Sequence, residues 1–237
     1  MALPLAMGGS EMPSNALNDA KSSAAIYSQL KTMVLNHAFS PSQQLQPWSL
    51  ADAFKVSATP VREALIRLNA EGLVVVYPNK GFFMKPLNIA ESRELYTLRS
   101  QLLKCSIEHI IDHAGRETVS ALVGTLQVHL LAMRMVESDA ALRLELIFEE
   151  CLHAAGSSVC FEVVHGVHEK TRYLRSLFVE DGQYLDRYLE IVGDIATFIQ
   201  EREKKSAFER LRDELEFKLD CVPKLCDAGL VRAFRCQ

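Results

Sequence analysis

From Ser22 onward, apolar residues recur every three or four positions. Ile26, Leu30, Met33 and Val34 share one helical face, and Ser22 or Ser23 is placed to cap it. The pattern fades over His37–Ser40, and Pro41 marks a break. Residues 49–55, SLADAFK, predict a short helix capped by Ser49. After a short turn, Ser57 or Thr59 caps a second helix with Val61, Ala64, Leu65 and Leu68 facing inward. Pro60 lies in its first turn, where a missing N–H costs nothing, and Glu63 suits the positive end of the dipole. Gly72 ends that helix. The β-branched run LVVVY (73–77), the turn Pro78-Asn79-Lys80-Gly81 and FFMK (82–85) then read as a hairpin. A helix, a helix–turn–helix and a hairpin make a winged helix over 22–87.

From Ile89 to about Val222 the spacing is helical throughout, without any strand signal. Breaks at Gly115, Ser138-Asp139, Gly156-Ser157-Ser158, Asp181-Gly182 and Pro223 delimit five or six helices, a bundle over 88–222. Residues 223–237 lack clear periodicity and are assigned no structure. Residues 1–21, rich in Gly, Ser, Pro and Asn, read as a disordered leader. The fold class expected is mainly α: an N-terminal winged helix–turn–helix domain and a C-terminal all-α bundle.

No apolar run reaches the roughly 18–20 residues that a bilayer requires, and MALPLAMGGSE has no basic n-region. No membrane partner and a cytoplasmic location are expected. Net charge is −4 over 237 residues, which by itself argues against nucleic acid. Its distribution argues otherwise: residues 1–87 carry a net +2 and residues 88–237 a net −6. None of the six cysteines forms C-x-x-C, so zinc-finger and thioredoxin chemistry are excluded, and reduced, mostly buried thiols are expected.

In a winged helix the second helix of the helix–turn–helix enters the major groove and its first residues reach base edges. Ser57, Thr59 and Arg62 stand at that end, while Lys80 and Gly81 stand at the wing tip, where glycine lets backbone approach a phosphate. Singly, each has a plain alternative: Ser57 and Thr59 as caps, Arg62 as a solvated charge. As an ordered set, S-L-A-D-A-F-K-V-S-A-T-P-V-R-E-A-L-I-R-L-N-A-E-G-L-V (49–74) followed by P-N-K-G (78–81) resembles the GntR family of bacterial transcriptional regulators. The resemblance covers about residues 24–87 and implies a homodimer on near-palindromic operator DNA. Two departures stand out: Ala58, and Trp48, occupy positions where the family has DNA-contacting arginines. Trp48 could pack against a sugar or staple the start of its helix.

The helical part is similar to the FCD effector domain, through Leu98-Arg99, Leu102-Leu103, Phe148, Leu152 and Ala155. Many such domains hold a metal on an Asp-x-x-x-His pair and two further histidines. The resemblance puts Glu145, Glu149, Val192 and Glu214 at those positions, so no resident transition metal, and no other cofactor, is expected. Helical spacing leaves open a pair of Glu149 and His153, and would equally put the three glutamates on a solvated face. The family's effectors are commonly organic acids, for which Arg99, Arg134, Arg143 and Arg172, with Glu149 and His153, are candidate pocket residues. Two competing readings remain. Glu150-x-x-His153 and Glu162-x-x-His165 match the pattern of a di-iron helical-bundle enzyme. Ala58 and Trp48 also fit a module that kept the fold and lost DNA binding.

Overall fold

The computed structural model describes residues 23–36, 38–135 and 140–235. The leader and the Ser138-Asp139 break lie outside the described residues. The chain divides into two compact units. Of the described residues, one holds those from Ser23 to Phe39 and Gln43–Met84; the other holds those from Lys85 onward together with Ser40–Ser42.

The first unit contains α1 (Ser23–Leu35), β1 (Gln44–Leu45), α2 (Pro47–Phe54), α3 (Ala58–Ala70), β2 (Val74–Tyr77) and β3 (Gly81–Met84). Ile26, Leu30 and Val34 of α1 close over Val61, Ala64, Leu65 and Leu68 of α3, and all seven are buried. The polar edge of that seam is also paired: Lys31 reaches Glu71 at 3.0 Å, and Arg67 lies 3.7 Å over the Tyr27 ring.

Two local expectations change. The helix expected to begin at Ser49 starts at Pro47, with Gln46 as the capping residue. Proline's fixed φ suits the first helical position, so Pro47 nucleates the turn two residues earlier. The sheet also gains a third strand, in the order β1-β3-β2. Two residues of β1 pair with β3, Gln44 opposite Phe83 and Leu45 opposite Phe82, too short a run for alternation to reveal. Gly72 (φ +73) ends α3 as expected, and Leu73 N–H returns to Leu68 O at 3.0 Å.

The second unit contains α4 (Ile89–His113), α5 (Arg116–Arg134), α6 (Ala140–Ala154), α7 (Ser158–Glu180), α8 (Gly182–Glu201) and α9 (Lys204–Arg235). Asn88 caps α4, its Oδ1 accepting from Glu91 N–H at 3.0 Å. Asp181 caps α8. The break between α8 and α9 falls at Arg202 (φ +59), a position that carries no glycine to announce it. The Arg202 guanidinium donates to Ile111 O at 2.5 Å and Ala114 O at 2.6 Å, satisfying the carbonyls at the end of α4.

Pro223 does not end the last helix: α9 runs through it, and the segment 223–237, expected to lack structure, is helical as far as Arg235. Proline removes the bond to Leu219 O, a loss of about 3 kcal/mol in a helix interior. Val222, Leu225, Cys226 and Ala233 are nevertheless buried at helical spacing, and their packing offsets it. Gly229 completes that face. A Cβ there would stand 2.6 Å from Leu87 Cδ1 and 2.8 Å from Tyr173 Cε1, so glycine is what lets α9 approach α7 and Leu87. Of the five described cysteines, Cys151, Cys221 and Cys226 are buried and Cys105 is exposed.

Candidate nucleic-acid interface and a buried polar cluster

The helix–turn–helix is tight. Lys55, in the left-handed region (φ +54), ends α2, and its N–H and that of Val56 return to the last turn of α2. Three residues later α3 begins. Ser57 holds the cap position in an extended conformation without a side-chain cap bond, and it is exposed. Ala58, Thr59 and Arg62 are exposed on the first turn and a half of α3. Glu63, beside Arg62, accepts from Ser23 Oγ at 2.8 Å and is thereby tied to α1. Trp48, 63% exposed in the first turn of α2, stands beside them: Pro47, Trp48, Ala58, Thr59, Arg62 and Ile66 border one surface groove.

The wing is locally fixed. Lys80 N–H bonds Tyr77 O at 3.1 Å across Pro78 and Asn79, and Asn79 takes φ +62, as a proline-led turn with a left-handed third residue demands. Gln44 Nε2 donates to Lys80 O at 2.8 Å and pins the turn from β1, leaving the Lys80 side chain exposed at the tip. Gly81 has φ +91 with open space where a Cβ would go, so backbone conformation is what requires glycine there.

The second unit buries an unusual number of charges. Arg99 of α4 and Glu214 of α9 are 1% and 0% exposed, with Nη2 to Oε1 at 2.5 Å. Arg175 of α7 bonds the Glu145 carboxylate of α6, and also Thr171 Oγ1 and His168 O, each at 2.6 Å. Glu149 accepts from Nδ1 of His165 at 3.0 Å and of His168 at 3.2 Å. A carboxylate only accepts, so both Nδ1 atoms carry the proton, and the neutral His168 ring presents Nε2 as an acceptor. Burial holds His168 neutral, its pKa lowered to about 3. Burial alone would raise the Glu149 carboxyl, but the two imidazole bonds prevail and take it down to about 2. Lys218, also buried, has its ammonium site 3.4 Å from the Phe178 centroid and 4.3 Å from that of Tyr188, and burial pulls its pKa well down.

Several buried atoms of this cluster have no protein partner: Arg99 Nε, His168 Nε2, Arg175 Nε, Tyr188 OH, Glu214 Oε2 and Lys218 Nζ.

This arrangement corrects several expectations. Glu145, Glu149 and Glu214 form no solvated face; all three are buried and paired. Arg99 is held by Glu214 and is not an open anion ligand. Arg134 is exposed at the end of α5, Arg143 is half-buried, and Arg172 reaches only the edge of the cluster, 3.9 Å from Glu145. His153 does not join Glu149. It is exposed, with its ring 4.4 Å from that of Phe161, because α7 supplies both imidazoles that Glu149 accepts from. The four positions where the resemblance places a metal do not fit one. Arg175 and Arg99 occupy two of the carboxylates, the histidines a third, and Val192 offers no donor. Among the described residues no three His, Cys, Asp or Glu side chains converge as a metal-ligand set.

A family model described as "Bacterial regulatory proteins, gntR family" matches residues 22–84, the whole described winged-helix unit. The HTH-type transcriptional regulator YdhC of Bacillus subtilis is 30% identical over 189 residues, 78% of this chain and 79% of its own. The chain belongs to the GntR family. Another relative, the Nta operon transcriptional regulator of Aminobacter aminovorans, is 34% identical over 90 residues, 38% of this chain and 43% of its own. The solved structure of E. coli McbR/YncC superposes with a TM-score of 0.67 at 16% identity, covering 85% of this chain and 97% of that one, a likeness of fold.

This GntR protein is therefore a transcriptional regulator with a DNA-binding domain, and not an enzyme. The di-iron pattern dissolves accordingly: Glu162 and His153 are exposed and do not face a common interior. Among the described residues no helix is long and apolar enough to cross a membrane.

Proposed function

We propose that this chain is a cytoplasmic, ligand-responsive regulator that binds a short near-palindromic operator as a homodimer, with a small organic anion as effector of its helical unit. The observation that carries the DNA reading is the exposed start of α3. Thr59 and Arg62 stand clear of the core there, while Glu63, the carboxylate bordering the same groove, accepts a hydrogen bond from Ser23. Ser57, Thr59 and Arg62 then read or brace the major groove, with Trp48 beside them, and Lys80 at a rigid wing tip meets phosphate. A protein with two-fold symmetry matches a two-fold site.

The test is duplex selection from fragmented genomic DNA, followed by titration of the selected site. Arg62→Ala should weaken specific binding by about 1–3 kcal/mol if it reads a base. Lys80→Ala should weaken all duplexes alike and reduce the salt slope by about one unit. Failure to select any duplex with the parent protein favours the reading in which the fold persists without DNA binding.

The effector reading draws support from the buried atoms without protein partners. Natural interiors rarely leave such groups unsatisfied, so water or a ligand completes them. Lys218 Nζ and Tyr188 OH supply donors for an anion and His168 Nε2 an acceptor for a hydroxyl. Burial pulls the Lys218 pKa well down, and an entering carboxylate should raise it again by favouring the charged form, with uptake of protons from buffer. Calorimetry in buffers of different ionisation enthalpy would detect that uptake. Because the carboxylates are already engaged, we also propose that the bundle works without a resident transition metal. Elemental analysis of chelator-free protein should give well under one equivalent of Zn, Ni, Mn or Fe per chain.

A further inference from the structure

The DNA face of α3 carries an uneven mixture of chemistry. Of the charged groups bordering the groove, Glu63 bonds Ser23 Oγ, which leaves Arg62 as the cation presented there. The rest of the surface is apolar or nearly so: the Ala58 methyl, the Thr59 methyl, the Trp48 indole and, two turns along, Ile66, which is 54% exposed. The groove encloses about 530 Å³, room for side groups of bases rather than for a single buried water.

Large exposed apolar groups beside one guanidinium need an apolar counterpart on the partner. The major-groove floor offers one such group, the C5 methyl of thymine; all its other distinguishing features are hydrogen-bond donors or acceptors. Nothing at Ala58 or Trp48 can bond the O6 and N7 acceptors of guanine, save the single indole N–H. Adenine is best read by a bidentate amide, and the exposed start of α3 has none.

We infer that this protein reads its operator largely through thymine methyl groups. Ala58, Thr59 and Trp48 form an apolar wall against them, and Arg62 supplies the one guanine contact of each half-site. This rests on the DNA-binding reading above and adds the chemistry by which bases are chosen. Each half-site then contains at least two thymines beside one guanine. Affinity derives more from excluded water than from phosphate charge, as expected for a unit with a net charge of only +2 over residues 1–87.

The test uses the full-length protein and a duplex selected from random sequence. Each thymidine is replaced in turn by deoxyuridine, which keeps the pairing and loses only the methyl. Deoxyuridine at two or more positions of each half-site should weaken binding about three- to five-fold per methyl, the effect of exposing one CH₂-sized group. Both Ala58→Gly and Trp48→Ala, at exposed positions where folding is not at stake, should abolish the sensitivity at one of those positions. Ala58→Arg should shift selection there from thymine to guanine. A selected operator indifferent to deoxyuridine at every position overturns the inference while leaving DNA binding intact. Sensitivity that survives both Ala58→Gly and Trp48→Ala overturns it as well, and assigns the apolar wall to another occupant. If no duplex is selected at all, the DNA-binding reading falls and this one with it.

Discussion

Replacing Arg99 by methionine tests whether the charges in the helical unit are confined there. Methionine keeps much of the length and the contact with the Phe148 ring, over which the guanidinium lies at 4.4 Å, and deletes the charge. Glu214, wholly buried, would then face the interior without its 2.5 Å partner. Breaking such a pair from one side destabilises by about 3–5 kcal/mol. The structure favours the lower end. Lys218 lies one turn beyond Glu214 on the same helix, and loss of the Arg99 charge, which lowers the Lys218 pKa, would favour the charged amine beside Glu214. The expected loss is therefore about 3 kcal/mol, or of order 10 °C in melting temperature for a unit of this size. The double variant Arg99→Met/Glu214→Leu removes the stranded charge and should return to within about 1 kcal/mol of the parent. Urea unfolding followed by far-UV circular dichroism reports the bundle, while fluorescence of the sole tryptophan, Trp48, reports the winged helix independently. A loss below about 1 kcal/mol in the single variant, or a double variant no better than the single, would refute the reasoning.

Gly229→Ala should destabilise the helical unit by about 1–3 kcal/mol, because the new Cβ would overlap Leu87 and Tyr173; unchanged urea midpoints would show that α9 can move aside. Acid should weaken the fold in steps. His168 has its pKa lowered from 6.5 to about 3, so the stability it confers is complete above 6.5 and declines as pH falls, by up to about 1.4 kcal/mol per unit. Glu149, lowered to about 2, adds to the decline below 4.5, and His168→Gln should flatten the slope between 6.5 and 4.5 in pH-dependent melting. Gly81→Ala should strain the wing by about 1–2 kcal/mol and reduce operator affinity without altering base preference, as a selection repeated with the variant would show. Replacing Pro86-Leu87-Asn88 by Gly-Gly-Ser retains a capping oxygen for α4 but removes the Leu87 contact, and should leave effector binding intact while reducing its effect on DNA; a full response in operator titrations would place the route elsewhere.

The winged helix was legible in the sequence because each of its devices is local. Pro60, Gly72 and Pro78-Asn79-Lys80-Gly81 act within a few residues of themselves, and α3 shows its inward face directly. The strand β1 was not legible, since two residues cannot display a period. The buried cluster was half visible. Arg175 falls on the same helical face as Val164, Val167, Thr171, Leu174 and Phe178, and Lys218 on that of Leu211, Val222 and Leu225. A charge on an apolar stripe is a signal that the residue is buried and paired. Its partners could not be found that way, because spacing along one helix does not say which helix lies opposite. Pro223 misled for the converse reason: a local breaker was overruled by long-range packing.

The pairing of Arg99 with Glu214 spans 115 residues of chain. Synthesis proceeds at roughly 5–20 residues per second, so Arg99 is added to the chain some 6–23 s before Glu214 is. The winged helix, whose contacts close by Met84, can fold throughout that interval, whereas α4 must wait for α9 with a bare guanidinium on its inner face. A nascent chain of this regulator thus possesses its winged-helix domain well before its helical unit can close, and for those seconds the open bundle is a candidate for chaperone capture.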